Sequence, residues 1–478
     1  MRPSVMVVFT LLSCTCAETP AVQVILTNKC LQYVKHVGAG LIQDKLKQIT
    51  FPDISGKVDI IIGNVYYTLT GTTVTKCDFP EPAVEFSQEY SGLKTSVEGL
   101  SVALAGNWET RFGIIHDSGS FEMAIYSINL TSAVQLGRDP NGQLSVSSVG
   151  CGALVGDVDV WFHGGASAVF RPLVKHFKGR IIDLIESKIC PEVQDVIIGL
   201  ESYLQAMNVS TNVNEVLSVD LPLTDLPNVD ASNLKMGLKG EFYSIKTHKE
   251  PPFVAQPFTL PGQTNYMLSV GMSEFTLNSA AYGYFSAGQL QALINDSMIP
   301  PECPIHLNTS AMGMFIPQLP KMFPNLLMLL QVYATESPMF SLQPGVAELG
   351  LQLSLKAYAI EPNGTQTPLF KLNLVSQFSG KMWIADEKLK GSVTMDNFTL
   401  TLVSSEVGPF KTDALENALK MGIKVVALPK LNKLLAGGIN LPRLRCGQLV
   451  NLVLNIEKGF LDISSDLEVQ QTGRSANL

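Results

Sequence analysis

Hydrophobic periodicity along this chain traces one order twice, about 240 residues apart: a helix, a set of alternating strands, then a longer amphipathic helix. A separation that long excludes solenoid repeats and implies a duplicated domain. In the first copy, Thr27 and Asn28 stand ready to cap a helix with apolar positions Leu31, Val34, Leu41, Ile42 and Leu46. Alternation follows at Val58, Ile60 and Ile62, at Val102 and Leu104, and at Phe121, Met123 and Ile125. It resumes at Val158, Val160 and Phe162, with Asp157 and Asp159 on the other face. Residues 137–142 form a turn cluster. The strongest helix carries Phe170, Leu173, Val174, Phe177, Ile181, Leu184 and Ile185 on one stripe, with Arg171, Lys175, Lys178, Arg180, Asp183 and Glu186 opposite. In the second copy a helix begins near Asn278 and includes Ala281, Tyr282 and Phe285. Strands follow at Leu349, Leu351 and Leu353 and at Phe398, Leu400 and Leu402, and a late helix holds Leu415, Leu419 and Val426 before Pro429. Pro251, Pro252, Pro257 and Pro261 make the stretch between the copies a semi-rigid linker.

Hydrophobic residues make up 46 % of the chain and charged residues only 16 %, so it must own a large core or an apolar cavity. A net charge of −8 argues against nucleic acid as a partner, because phosphate neutralisation needs a basic surface. Arg2, the apolar run Val5 to Leu12, and Thr15-Cys16-Ala17 read as a secretory signal peptide over residues 1–17. No later window offers about 18 uninterrupted apolar residues, so the mature chain is expected to be secreted and extracellular. Sequons at Asn129, Asn208, Asn295, Asn308, Asn363 and Asn397 agree with that route. Six cysteines follow the signal, namely Cys30, Cys77, Cys151, Cys190, Cys303 and Cys446. Their spacing alone does not choose a pairing, and no CxxC motif suggests zinc or redox chemistry.

Catalytic motifs are missing. His116-Asp117-Ser118 sets three triad residue types side by side, whereas a working triad is assembled from separate elements, so this reads as a polar turn. Gly164-Gly165-Ala166-Ser167-Ala168 lacks the Gly-x-Ser-x-Gly elbow, and histidines 36, 116, 163, 176, 248 and 306 have no metal-ligand spacing. The chain is read as a non-enzyme without a cofactor.

Several segments carry a resemblance. Residues 239–244, then Pro251-Pro252-Phe253, resemble the central linker of the lipopolysaccharide-binding and bactericidal permeability-increasing protein family. Residues 315–325 and 341–345 resemble its carboxy-terminal half, with further echoes at 51–56, 407–410 and Leu441-Pro442. The resemblance implies an α+β fold: an elongated boomerang of two similar barrels, each a twisted antiparallel sheet packed on a long helix, joined by a central β-sheet. The implied division is a signal peptide over 1–17, an N-terminal barrel over 18–208 and a central sheet with linker over 209–275. A C-terminal barrel over 276–436 and a return to the central sheet with a tail over 437–478 complete it. The resemblance also implies a bridge from Cys151 to Cys190, at the end of the long helix, and leaves Cys30, Cys77, Cys303 and Cys446 as buried thiols. A phosphatidylcholine-like phospholipid is expected in each barrel.

By the same resemblance the chain captures lipopolysaccharide of Gram-negative bacteria in innate defence. Implied partners are lipopolysaccharide, phospholipids, the bacterial outer-membrane surface and an endotoxin receptor. Implied locations are plasma, a mucosal surface or a granule. Basic residues at the amino-terminal tip meet lipid A in this family, and the positions here are Lys45, Lys47 and Arg111, with Lys175 and Lys178 on the long helix. The chain departs from the pattern: residues 18–230 hold 14 Lys and Arg against 24 Asp and Glu, and 107–112 keep only Arg111. That weak tip charge favours the alternative, a phospholipid or neutral-lipid transfer protein acting between lipoproteins or membranes. Enzymatic deglycosylation of protein secreted from eukaryotic cells is expected to lower its mass in discrete steps; an unchanged mass contradicts the sequon reading.

Overall fold

A computed structural model describes residues 18–46, 53–60, 63–165, 167–299, 306–440 and 448–468. Residues 1–17, read above as a signal peptide, lie outside the described residues with Lys47, Cys303, Cys446 and Leu441-Pro442, as do the side chains of Lys45 and Lys175. The first unit begins with β1 (Val22–Thr27) and α1 (Asn28–Leu46), followed by β2 (Ile54–Ile60), β3 (Gly63–Asp78) and β4 (Ala83–Ser87). Three long strands come next, β5 (Gly92–Phe112), β6 (Ile115–Arg138) and β7 (Leu144–His163), and then the helix α2 (Ser167–Gln205). Short strands β8 (Ser210–Asn212), β9 (Leu217–Asp220), β10 (Asn228–Val229), β11 (Asn233–Leu238) and β12 (Glu241–Ser244) lead to the linker.

The second unit repeats the plan. It opens with β13 (Leu268–Ser273) and α3 (Glu274–Ser286), then β14 (Gln291–Asn295) and the single turns α4 (Thr309–Met312) and α5 (Leu319–Met322). Its sheet adds β15 (Leu327–Ala334), β16 (Met339–Gln343), β17 (Val346–Ile360), β18 (Gln366–Ala385) and β19 (Lys388–Ser405). Helices α6 (Asp413–Gly422) and α7 (Leu428–Gly437) are joined by a π turn, and β20 (Ile439–Asn440), β21 (Gln448–Glu457) and β22 (Phe460–Glu468) finish the chain.

Strands of 18 to 24 residues cannot stay flat, because right-handed twist accumulates along them. Both long sheets curl, in the orders β2-β3-β5-β6-β7 and β14-β15-β17-β18-β19-β20. Bulges sharpen the curl. At one of them, between Val97/Leu100 and Leu100/Val102 in the β5–β6 register, Gly99 and Ser127 take φ of 78° and 52°. The units meet in a sheet of order β10-β11-β1-β13-β22-β21. There β1 and β13 pair antiparallel with Val24 opposite Val270, each flanked by a strand returning from its own unit. The result is two barrel-like units on a central sheet, the architecture expected.

Local expectations needed correction. Thr27 does not cap α1: its hydroxyl donates to the Tyr266 carbonyl at 2.7 Å, tying the strand to the linker. The second-copy helix starts at Glu274, four residues before Asn278. The late helix does not stop before Pro429, because Pro429 falls in the first turn of α7, where a missing N–H costs nothing. His116-Asp117-Ser118 opens strand β6 and is not a turn. The linker is docked: Phe253 meets Phe275 and Tyr282 edge-on, Phe258 stacks on Phe460 at 4.8 Å, and Leu260 is buried. Among the described residues no helix is long and apolar enough to cross a membrane.

A polar latch joins the units. Asp466 of β22 accepts from Lys29 of α1 at 2.8 Å, from the Met267 N–H at 3.1 Å and from Asn451 at 3.1 Å. Burial raises the pKa of the Asp466 carboxyl, but these hydrogen bonds outweigh it and hold the group below the usual carboxylate range. A depressed carboxylate stabilises the fold fully above its unfolded pKa, and that contribution is lost as pH falls through the folded pKa. Asp466→Asn is expected to lower stability by about 1–2 kcal/mol near neutral pH, with the difference vanishing toward acid. Thermal unfolding of both proteins across pH 3 to 7 checks this, and a difference independent of pH contradicts it.

Candidate functional site

The first unit encloses an apolar interior between its curled sheet and α2. Leu104, Ile125, Ile128, Val155 and Val158 line the sheet side, and Ile182, Ile185 and Ile189 of α2 pack against them. Leu104, Ile125 and Val158 are positions that the alternation predicted; Ile128 and Val155 are not. On the helix, Ile182 belongs to the packed face, one position from the predicted stripe.

Closing the interior poses a problem, because β7 ends its sheet and leaves backbone groups unpaired. Two side chains of α2 satisfy such groups, and further polar contacts tie the helix to this flank. Lys178 forms ion pairs with Asp157 and with Asp159, the latter at 3.6 Å. Glu186 accepts from the Val155 N–H at 2.7 Å, and Glu201 accepts from the Val146 N–H. Gln143, just before β7, donates to the Gln205 carbonyl at 2.9 Å. Midway along this seam Cys151 and Cys190 are disulfide-bonded. Cys190 lies inside α2, which runs on to Gln205, and Cys151 precedes Val158 on β7, so the bridge fastens the middle of the helix and not its end. The hydrogen bond from Lys178 keeps the Asp157 carboxyl below its usual range, aided by the Val158 N–H. Lys178 thus spends its charge on two carboxylates.

The second unit solves the same problem with other residues. Glu416 of α6 accepts from the Leu400 N–H at 2.9 Å. Asn432 of α7 both accepts from the Val393 N–H at 2.7 Å and donates to its carbonyl at 2.9 Å. Leu369, Leu372, Phe398 and Leu400 line the core beneath.

The far end of the first sheet carries the remaining predicted cation. Gly113, at φ 58°, and Ile114 form the two-residue turn between β5 and β6, and Ile114 is 97 % exposed. Beside this turn the strand register lines up Lys57, Tyr66, Arg111 and His116 across β2, β3, β5 and β6. Directly opposed residues share a sheet face, so these four exposed side chains form one transverse row. Lys57 lies 3.8 Å from Asp59, an exposed and therefore weak pair. Below the row, Trp108 and Phe121 are buried, and Trp108 meets Phe162 edge-on at 5.9 Å. Gly119 faces Trp108 because a Cβ there would strike the Trp108 ring and the His163 carbonyl. Sequence reasoning found Arg111 and missed Lys57, Tyr66 and His116, which register alone brings together.

Of the sequon asparagines, Asn129, Asn208, Asn295, Asn363 and Asn397 are exposed; Asn308 is half-buried and its Oδ1 caps α4 by accepting from the Ala311 N–H at 2.7 Å. Cys30 and Cys77 are buried. Among the described residues no group of three His, Cys, Asp or Glu is placed to hold a metal ion. Removing the bridge with Cys151→Ala/Cys190→Ala is expected to cost about 2–4 kcal/mol. Hydrogen exchange should then rise first along β7 and α2; exchange unchanged there contradicts the seam as the element that closes the unit.

Comparison with known proteins agrees with this architecture. Residues 30–207 match the LBP / BPI / CETP family, N-terminal domain, and residues 211–469 match its C-terminal domain. A bactericidal permeability-increasing protein of Sebastes schlegelii is 38 % identical over 465 residues, 97 % of this chain and 98 % of that protein. A human lipopolysaccharide-binding protein is 28 % identical, over 93 % of this chain and 92 % of its own. A crystal structure of lipopolysaccharide binding protein superposes with a TM-score of 0.58 at 26 % identity, covering 95 % of this chain and all of that one. The chain belongs to the LBP / BPI / CETP family.

Proposed function

We propose that this protein is a secreted lipid-binding protein of innate defence that captures lipopolysaccharide, and that it is not an enzyme. The observation that carries the reading is the transverse row Lys57, Tyr66, Arg111 and His116 at the tip of the first barrel, next to the exposed Ile114 and Ile115. Cations two strands apart, about 10 Å between backbones, offer two separated phosphates of a lipid A headgroup one partner each. The apolar turn beside them suits the boundary between headgroup and acyl chain. Acyl chains then pass into interiors like the one lined by Ile125, Val158 and Ile185. Each buried methylene contributes about 0.8 kcal/mol, so a chain of ordinary length is held without covalent chemistry.

By the family resemblance Lys45, Lys47 and Lys175 are proposed as further anion contacts, whereas Lys178 is committed to the seam. A phosphatidylcholine-like lipid in each barrel, glycans on the six sequons and an endotoxin receptor as downstream partner complete the reading. The names of the relatives favour lipopolysaccharide over transfer of neutral lipid.

Lys57→Gln/Arg111→Gln is expected to weaken binding to lipopolysaccharide on the order of 10-fold per residue and to flatten its salt dependence. Uptake from phosphatidylcholine vesicles should be unchanged. Titration of purified glycoprotein at low and physiological salt checks this. Better uptake of phosphatidylcholine than of lipopolysaccharide, indifferent to salt, sinks the endotoxin reading and returns the transfer alternative.

A further inference from the structure

The cationic character of this chain is concentrated away from the tip. Residues 417–456 contain Lys420, Lys424, Lys430, Lys433, Arg443 and Arg445 and not one Asp or Glu, in a chain whose net charge is −8. Four of those lysines belong to the helical run 413–437, formed by α6, the π turn and α7 and about 35 Å long. Both helices pack one side on β19, through Leu415, Leu428 and the Glu416 and Asn432 hydrogen bonds, so their other side faces outward. On that outer side Lys424, Lys430 and Lys433 are exposed, and no carboxylate among the described residues pairs with them. Interleaved with them are Met421, Val425 and Leu434, at 60, 65 and 74 % exposure.

We infer that the outer face of α6 and α7 docks on an anionic lipid bilayer, a contact site separate from the tip of the first barrel. A helix lying in a membrane interface needs apolar side chains at the depth of the acyl boundary and lysines able to reach the headgroups. The lysine stems beside Met421, Val425 and Leu434 supply both. Charge selects the occupant. The corresponding helix of the first unit also exposes Val196, Leu200 and Tyr203, but the exposed Glu192 and Asp195 intervene there, with Lys188 the one basic residue after Asp183. An anionic surface repels that later part of the first-unit helix, from Asp183 on, and attracts the outer face of α6 and α7. The inference goes beyond lipopolysaccharide capture, since it concerns the bilayer on which the protein works and uses none of the tip residues.

The test is co-sedimentation of the full-length glycoprotein with vesicles of phosphatidylcholine containing 30 % phosphatidylglycerol, and with pure phosphatidylcholine vesicles. Lys424→Gln/Lys430→Gln/Lys433→Gln is expected to weaken binding to the anionic vesicles on the order of 100-fold at low salt, about five-fold per lysine. Binding of lipopolysaccharide should be retained, and Lys57→Gln/Arg111→Gln should show the opposite pattern. Leu434→Asp, a change at an exposed position, should also lower anionic-vesicle binding, with circular dichroism confirming an intact fold. Equal binding of wild type and triple variant to anionic vesicles overturns the inference, as does failure of the wild type to bind them. Lysine-dependent binding to heparin without binding to vesicles overturns it in favour of a soluble polyanion.

Discussion

The structure depends on how a curled sheet disposes of its last strand. Long antiparallel strands bend into a trough, and one flank of it has N–H groups without a neighbouring strand: β7 in the first unit and, beyond the two residues paired with β20, β19 in the second. In both units a helix lies along that edge and offers polar side chains to it: Glu186 and Glu201 to β7, Glu416 and Asn432 to β19. The helix closes the barrel by standing in for a strand while its apolar face supplies the opposite wall. Unpaired backbone groups next to an apolar interior would cost several times what each such hydrogen bond contributes, so the seam and the interior exist together. The Cys151–Cys190 bridge adds a covalent tie to this seam in the first unit.

Much of this was legible in the sequence, and the illegible parts share a cause. Period-two patterns located β5, β6, β7, β17 and β19, because their inward faces are buried and their outward faces are not. The order of elements announced the duplication. The polar residues of α2 were another matter: Lys178 and Glu186 sit opposite the apolar stripe and read as a solvated face, yet they meet the flank of β7. Hydropathy separates core from not-core and is blind to a strand edge. Pro429 misled for a related reason, since a π turn ahead of it restarts the helix and gives the proline a first-turn position.

The tip row is the sharper case. Lys57, Tyr66, Arg111 and His116 are scattered over 60 positions of sequence, and only the hairpin at Gly113 with the bulges in β3 and β5 fixes which of them face one another. A one-residue slip in any pair would send its side chain to the other face of the sheet. Charge counting along the chain therefore undervalued the tip, whose cations come from different strands, inside a segment with a net of −10 over residues 18–230. The two units close in one way, yet Lys188 is the one basic residue of the first-unit helix after Asp183, whereas every charged residue from 417 to 437 is a lysine.

The proposed function requires that these barrels close around lipid. Mass spectrometry of the intact secreted protein under native conditions, before and after organic extraction, tests it most directly. The account predicts that extraction removes about two phospholipid masses per chain, one for each barrel. A native mass equal to that of the extracted protein would contradict it.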